Sequence, residues 1–475
     1  MSGSLPRRHV IGAIMFVLIV SELAILYAPH PAFKILSIGC VILIPVLACR
    51  SLRLREAYLI AVCAILVIVS FLTQAQAMQW VEDGLSRAAF LASFILLMAL
   101  LREGALTSPS VVKLGQFLTL QPPKRRFLAV FTGSHALSVM INLGSLSLLA
   151  PIIQRGVRAG RDPDAPLDEV GQIRERRQLT AALRGFSWFL VWAPTAVTQA
   201  VMPTLMSGID ALRLMLLGLL LALLMTVLSW TEDWLRWRKI GQRIRAGGLL
   251  GDVQPQQFPA RAAANFSLVC AGLFVCSILA AQIWDVSIVT GVMLSAPIIV
   301  TVWVFVQQPS SHRTRSTINR IDEIGISAMP GYVREVVFIA CAGFIGTVGA
   351  QLVPVDDIAM AIGLQSMPGW IVLWTLSMSV WLLGQVGLSP ITMAIFLASI
   401  IAQINNLPAD VTHAALAIAT GTAICTAGAP FSSGAVMLAR ATGYSSFTLT
   451  WRWNGTYTLC AMVVLAVFYW ILEGL

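Results

Sequence analysis

Four interruptions in an otherwise apolar chain carry the residues able to do chemistry. The first holds Asn142, Gly144, Ser145 and Ser147. The second begins at Trp188 and Trp192 and holds Pro194, Thr195 and Thr198. The third holds Ser389, Pro390 and Thr392, and the fourth runs from Thr420 through Gly428, Pro430, Ser432 and Ser433 to Gly434. Non-helical backbone inside a bilayer is tolerated only where it is buried in protein or lines a wet cavity. Half-helix N-termini aim free N–H groups and a positive dipole end at an anion. Hydroxyls and amides add donors, while freed carbonyls coordinate cations. Ser, Thr and Gly also permit close helix packing, and any one of them alone reads that way.

Together the four clusters read as a binding region. Asn142, Gly144, Ser145, Thr195, Thr198, Ser389, Thr392, Ser432 and Ser433 are the candidate contacts to a small anion. Asn142, Gly428 and Pro430 are the candidates for a coupling ion, and His135 offers a proton alternative. A hydrogen-bonded packing role for His135 is slightly favoured over that reading, and His135 is taken as the only membrane-embedded histidine of the repeats. Trp188 and Trp192, one turn apart beside a break, are candidates to wall a pocket. Glu22 reads as structural, and Arg334 and Glu335 as a helix end without special role.

The elements that must position these residues follow from composition. Hydrophobic residues make up 57% of the 475 and charged residues 11%, against the ~25% charged of a soluble domain. With a mean hydropathy of +0.82, this excludes a cytosolic globular enzyme and a disordered chain. The net charge of +10 does not argue for nucleic acid, because the basic residues sit in short connections between apolar segments. The eight cysteines form no CxxC pair and no metal spacing, so they read as small hydrophobes. The apolar run after Arg7-Arg8 is long enough to span and reads as a retained first helix rather than a cleaved leader.

A crossing needs about 20 apolar residues. Candidate spans are 10–28, 35–49, 57–73, 87–101, 180–206 and 211–229, then 262–283, 287–306, 335–353, 411–439 and 453–472. All but four of the 32 Lys and Arg residues lie at the N-terminus or in 50–56, 102–126, 154–179, 230–261, 307–334 and 440–452; the exceptions are Lys34, Arg87, Arg184 and Arg213. The positive-inside rule makes that set cytoplasmic, with the N-terminus inside and the C-terminus outside. Segment 127–153 then has both ends cytoplasmic, flanked by Lys124-Arg125-Arg126 and by Arg155, Arg158 and Arg161. It must enter and return, bending near Asn142–Ser145. Segment 370–404 is its mirror, with both ends outside and a breaker over Gly384–Pro390.

The predicted fold is an all-α polytopic membrane protein with about 11 transmembrane helices and two re-entrant hairpins in two inverted repeats, the arrangement of many secondary transporters. Residues 1–33 form a leading helix, 34–230 the first repeat with hairpin 127–153, 231–261 a cytoplasmic linker, and 262–475 the second repeat with hairpin 370–404. Segment 307–334 reads as a simple connector in preference to an interfacial helix. Two echoes accompany the repeat: Gly133–Ser138 with Gly384–Ser389, and Ala193-Pro194 with Ala429-Pro430.

At the first bend, Ile141 to Pro151 resembles the hairpins of the divalent anion:sodium symporter family of the ion transporter superfamily. Those hairpins carry Ser-Asn-Thr at the tip and a proline nine residues after the Asn. Asn142 and Pro151 keep that spacing, with Ile141 and Leu143 in place of Ser and Thr. Gly428-Ala429-Pro430-Phe431-Ser432 resembles that family's Gly-Thr-Pro-Pro-Asn, and Gly443-Tyr444 its following Gly-Tyr. Ser389-Pro390-Ile391 stands where the family has a second Ser-Asn-Thr. The resemblance implies an anion site between two hairpin tips, elevator-like movement, Na+ as coupling ion and a homodimer.

The expected function is therefore cation-coupled secondary transport of a small anion, of carboxylate type, across a bacterial inner membrane. The partners are that anion and membrane lipid, with no nucleic acid and no enzymatic activity. A membrane-embedded transferase would require catalytic Asp, Glu or His near an interface, and neither HExxH nor GxSxG occurs. A channel, or the membrane subunit of a multi-component uptake system, would share the architecture.

Overall fold

The computed structural model describes residues 5–159, 166–246, 257–308 and 313–474. Arg161 and part of the expected 231–261 linker lie outside them. Every described element is helical. Among the described residues, ten helices are long and apolar enough to cross a membrane, and large apolar side chains such as Leu72, Leu268 and Val463 remain exposed on their outer faces, as expected where the solvent is lipid. The chain is an integral membrane protein.

The helices fall into two packed groups. The first holds α1 (Leu5–Tyr27), α2 (Pro31–Ala48), α3 (Leu54–Thr73) and α4 (Ala77–Leu106). It also takes α11 (Ala260–Trp284), α12 (Ile288–Gln307), α13 (Arg313–Asp322) and α14 (Val333–Gln351). Helices α4 and α14 form its centre. Gly84 and Gly343 allow this approach: a Cβ on Gly84 would stand 2.6 Å from Val348, and one on Gly343 2.8 Å from Leu91. The second group holds α6 (Pro123–Ile141), α7 (Gly144–Arg158), α8 (Glu169–Phe189), α9 (Val197–Leu205) and α10 (Ala211–Ala246). With them pack α16 (Gly369–Gln385), α17 (Pro390–Ile401), α18 (Val411–Gly428), α19 (Ser433–Thr442) and α20 (Trp453–Gly474). Short helices α5 (Pro109–Thr119) and α15 (Val355–Ala361) precede α6 and α16.

Three expectations need correction. The span 180–206 is not one apolar helix. Its first part belongs to α8, whose opening turns hold Glu169, Arg174, Glu175, Arg176 and Arg177, and the chain leaves the helix after Phe189. Residues 231–246 are a continuation of α10 rather than linker, stiffened by the Arg236–Glu232 pair at 2.6 Å one turn apart. In 307–334, residues 313–322 form α13, and a π-helical turn (Glu323–Ala328) and a 3-10 turn (Met329–Tyr332) lead into α14.

One crossing recurs in both halves. Helix α8 passes α6 at Gly185, where a Cβ would lie 2.2 Å from the Phe131 carbonyl oxygen; α18 passes α16 at Gly421, where it would lie 2.7 Å from that of Ser377. Ser134 Oγ donates to the Ala182 carbonyl at 2.8 Å beside the first crossing, and Ser377 Oγ to that of Ala417 at 2.7 Å beside the second. Both glycines stand nine residues before a break proline, Pro194 or Pro430. The Gly133–Gly384 echo does not hold in space. Gly133 lies mid-helix against Leu118, whereas Gly384 lies at the end of α16 against Cys425. Because the close atoms are backbone, Gly185→Ala and Gly421→Ala must each part a helix pair. Each is expected to cost about 1–3 kcal/mol, read as earlier thermal unfolding in detergent. Gly39→Ala, with open space at its Cβ, serves as the control.

Candidate functional site

The two tips and two breaks are built by short-range chemistry. Helix α6 ends at Ile141, and Asn142 reverses the chain at φ 46°, a region that Asn tolerates better than most residues. The Asn142 carbonyl accepts from Ser145 N at 3.0 Å and from Ser145 Oγ at 2.9 Å. Ser145 Oγ also lies 2.8 Å from Ser138 Oγ, tying the two arms together. Ser147 Oγ donates back to the Gly144 carbonyl at 3.0 Å. At the other tip Gly387 turns the chain at φ +93°, and Ser389 Oγ caps α17 by accepting from Thr392 N at 3.4 Å.

Both breaks satisfy their freed carbonyls from within. After α8, Thr198 Oγ1 donates to the Leu190 carbonyl at 3.1 Å and Gln199 Nε2 donates to that of Val191. After α18, Ser432 Oγ donates to the Thr426 carbonyl at 3.0 Å while accepting from Ala435 N at 3.2 Å. Gln385 Nε2 reaches the Gly428 carbonyl at 3.3 Å. Gly428 and Pro430 are buried, whereas Ser433 at the start of α19 is exposed.

Several buried polar groups remain unpaired. Thr195 and Thr392, 3% and 6% exposed, have buried hydroxyls without a partner. The Trp381 indole N–H is likewise unpaired, 3.1 Å from where a Cβ on Gly428 would stand. Buried polar groups are otherwise almost always satisfied. Thr195 immediately precedes α9 and Thr392 lies in the first turn of α17, and these two helices pack together. On the other side α7 packs against α19, so the second arm of each tip meets the short helix after the opposite break.

The sequence reading missed one residue. Arg102, near the end of α4, was grouped with the charges that set orientation. Its Nε is buried without a hydrogen-bond partner and lies 3.2 Å from where a Cβ on Gly144 would stand. Its guanidinium sits over the Tyr332 ring at 5.5 Å. A cation of the first helix group thus faces the N-terminus of α7 at the Asn142 tip, the positive dipole end of that helix, whose Ser145, Leu146 and Ser147 N–H groups bond within the turn. Glu335 belongs to the charges around this arginine, so the start of α14 is more than a helix end.

Both nitrogens of His135 are engaged. Nε2 accepts from Trp192 Nε1 at 2.8 Å, and Nδ1 lies 3.2 Å from the Gly185 carbonyl. Its ring belongs to a stack running Phe131, His135, Trp192, Phe274. This is the bonding of a neutral imidazole locked by packing. Trp188 is fully buried and donates to Tyr457 Oη at 2.5 Å, whereas Trp192 borders a void of about 20 Å³. A second buried histidine, His413 in the first turn of α18, bridges Glu473 and Arg213, each at 2.8 Å. No cluster of metal-ligating side chains occurs among the described residues.

Neither a family model nor a curated protein matches this sequence. A crystal structure of the Alcanivorax borkumensis YdaH transporter, described as having an unusual topology, is similar in fold. The TM-score is 0.58, at 16% identity, over 88% of this chain and 98% of that one. The chain has the fold of a transporter. That likeness reaches the architecture; it does not extend to the ion transporter superfamily or to the divalent anion:sodium symporters. Within the transporter fold, the tips at Asn142 and Gly387 and the breaks at Pro194 and Pro430 are where the membrane helices are discontinuous.

Proposed function

We propose that this chain is a secondary transporter of a small anion, working by alternating access between two inverted repeats. The observation that carries the reading is Arg102, whose buried and unpaired Nε stands at the N-terminus of α7 beside Asn142 and Gly144. A guanidinium is the group of choice for carboxylate or phosphate, and the helix end adds the positive end of its dipole. The unpaired hydroxyls of Thr195 and Thr392 are further groups able to donate, while the Leu190, Val191, Thr426 and Gly428 carbonyls already have partners. The repeated Gly-to-Pro interval and the crosswise pairing of α7 with α19 and α17 with α9 support two repeats of opposite topology.

An elevator-like displacement of the second helix group along the first, coupling to sodium, a homodimer and a bacterial inner-membrane location with the Arg-rich connections inside complete the proposal. The test is thermal stability of the purified protein against a panel of small anions, in sodium and then in choline. A ligand that binds only the native state raises the apparent melting point by mass action, by the equivalent of about 2.7 kcal/mol at one hundred times its Kd. The expected result is a shift from one anion class that is larger in sodium. A shift of equal size in choline removes sodium coupling, and no shift from any anion removes the anion reading.

A further inference from the structure

A second cavity lies away from the tips. It has a volume of about 450 Å³ and is bordered by Arg158 at the end of α7, Gln172 and Arg176 of α8, Trp237 of α10, Tyr444, and Trp453 at the start of α20. Its chemistry is cationic and aromatic. The Arg176 guanidinium is held between the Trp237 and Trp453 rings, at 5.3 and 5.7 Å, and its one hydrogen bond among the described residues is to the Arg452 carbonyl, at 3.3 Å. Arg158 has no salt bridge among the described residues. Neighbouring carboxylates are already engaged. Glu175 accepts from Tyr444 Oη at 2.8 Å and from Gln154 at 2.9 Å, and Glu232 pairs with Arg184 and Arg236. Two guanidinium groups therefore face one cavity without a salt bridge among the described residues, the one opposing charge acting on Arg176 being Glu232, which Arg184 and Arg236 share.

The surroundings place this cavity beside an exposed apolar helix face. Trp230, Trp234 and Leu235 are exposed on α10 within two turns of Trp237, where that helix passes from its apolar stretch to Arg236, Arg238 and Lys239. Tryptophan beside basic residues at the end of an apolar helix marks a bilayer boundary, and basic pockets between helices at that depth take phospholipid headgroups. We propose that this cavity binds the phosphate of an anionic phospholipid, with Arg158 and Arg176 as its ligands, Trp237 and Trp453 fixing the Arg176 plane, and the acyl chains lying along the exposed face of α10. Burial, followed by repulsion from Arg236, holds Arg176 below the usual arginine range, a bias that a bound phosphate monoanion would relieve.

The test is native mass spectrometry of the delipidated full-length protein titrated with phosphatidylglycerol or with phosphatidylcholine of equal chain length. One phosphatidylglycerol per chain is expected to bind at concentrations where phosphatidylcholine does not. Each charge-assisted contact contributes on the order of a tenfold change in affinity. Arg158→Gln is therefore expected to weaken binding about 10-fold and Arg158→Gln with Arg176→Gln about 100-fold. Arg238→Gln, whose guanidinium packs over Trp234 outside the cavity, is expected to leave binding unchanged. Equal affinity for the two lipids overturns the proposal, as does unaltered binding in Arg158→Gln, a variant that removes no described hydrogen bond or salt bridge. Competition by inorganic phosphate as effective as that by phosphatidylglycerol would assign the site to a soluble anion and overturn the lipid.

Discussion

Arg102→Gln is expected to weaken the anion-induced thermal shift by about 10- to 100-fold in ligand concentration while the protein remains folded. A hydrogen bond to a charged group is worth about 1.5–3 kcal/mol, and each 1.4 kcal/mol is roughly tenfold in affinity. Arg102 Nε has no hydrogen bond to forfeit, although its guanidinium lies over the Tyr332 ring at 5.5 Å and is a neighbouring charge of Glu335. Arg102→Lys keeps the charge but not the planar fork, and an intermediate loss is expected. Arg50→Gln, an exposed change on the same predicted face, controls for the general field. Binding that survives in Arg102→Gln with its concentration dependence intact would remove Arg102 from the site.

Arg184→Leu has the opposite profile: a large stability loss with no direct role in binding. Arg184 is fully buried within α8. Its Nε donates to Asn454 Oδ1 at 2.7 Å, its Nη1 to Glu232 at 3.0 Å, and its plane lies 3.9 Å from the centre of the Tyr457 ring. One side chain thereby joins α8, α10 and α20. Breaking a buried pair costs about 3–5 kcal/mol, largely because the abandoned charge stays buried. Glu232 retains Arg236, so about 3 kcal/mol is expected, measured as earlier thermal unfolding and faster amide exchange along α8. The contrasting case is the Lys34–Glu82 pair, whose side chains are 41% and 48% exposed. Lys34→Ala should change stability by no more than about 1 kcal/mol.

The contrast between these two arginines shows what a sequence conveys. Apolar length and the placement of basic residues locate most spans, because bilayer thickness and the cost of burying charge are one-dimensional constraints. The helix interruptions are legible for the same reason, since Gly, Pro and Asn disrupt a pattern that the bilayer otherwise enforces. Span 180–206 is harder to read. Charges at its start and Pro194 in its middle leave a helix that is apolar over only part of its length. The Gly133 echo failed because G-x-x-x-L-S is short, whereas the register of each half is set in space by Gly185 and Gly421 meeting backbone oxygens. Arg102 was hidden for a different reason. A basic residue near the end of an apolar helix looks like any interfacial anchor, and only tertiary packing brings Gly144 against it. For His135 the sequence leaves a packing role, slightly favoured, beside a proton site, and the structure shows both ring nitrogens engaged.

The account's central claim is movement of an anion across a membrane, and flux tests it most directly. The chain alone, reconstituted in proteoliposomes, is to be given the anion that shifts its melting point, with and without an imposed inward sodium gradient. The account predicts accumulation above the external concentration only under the gradient, and its loss in Arg102→Gln. Equilibration to the external level regardless of the gradient would make the chain a channel, and no flux of an anion that demonstrably binds would contradict transport by this chain alone.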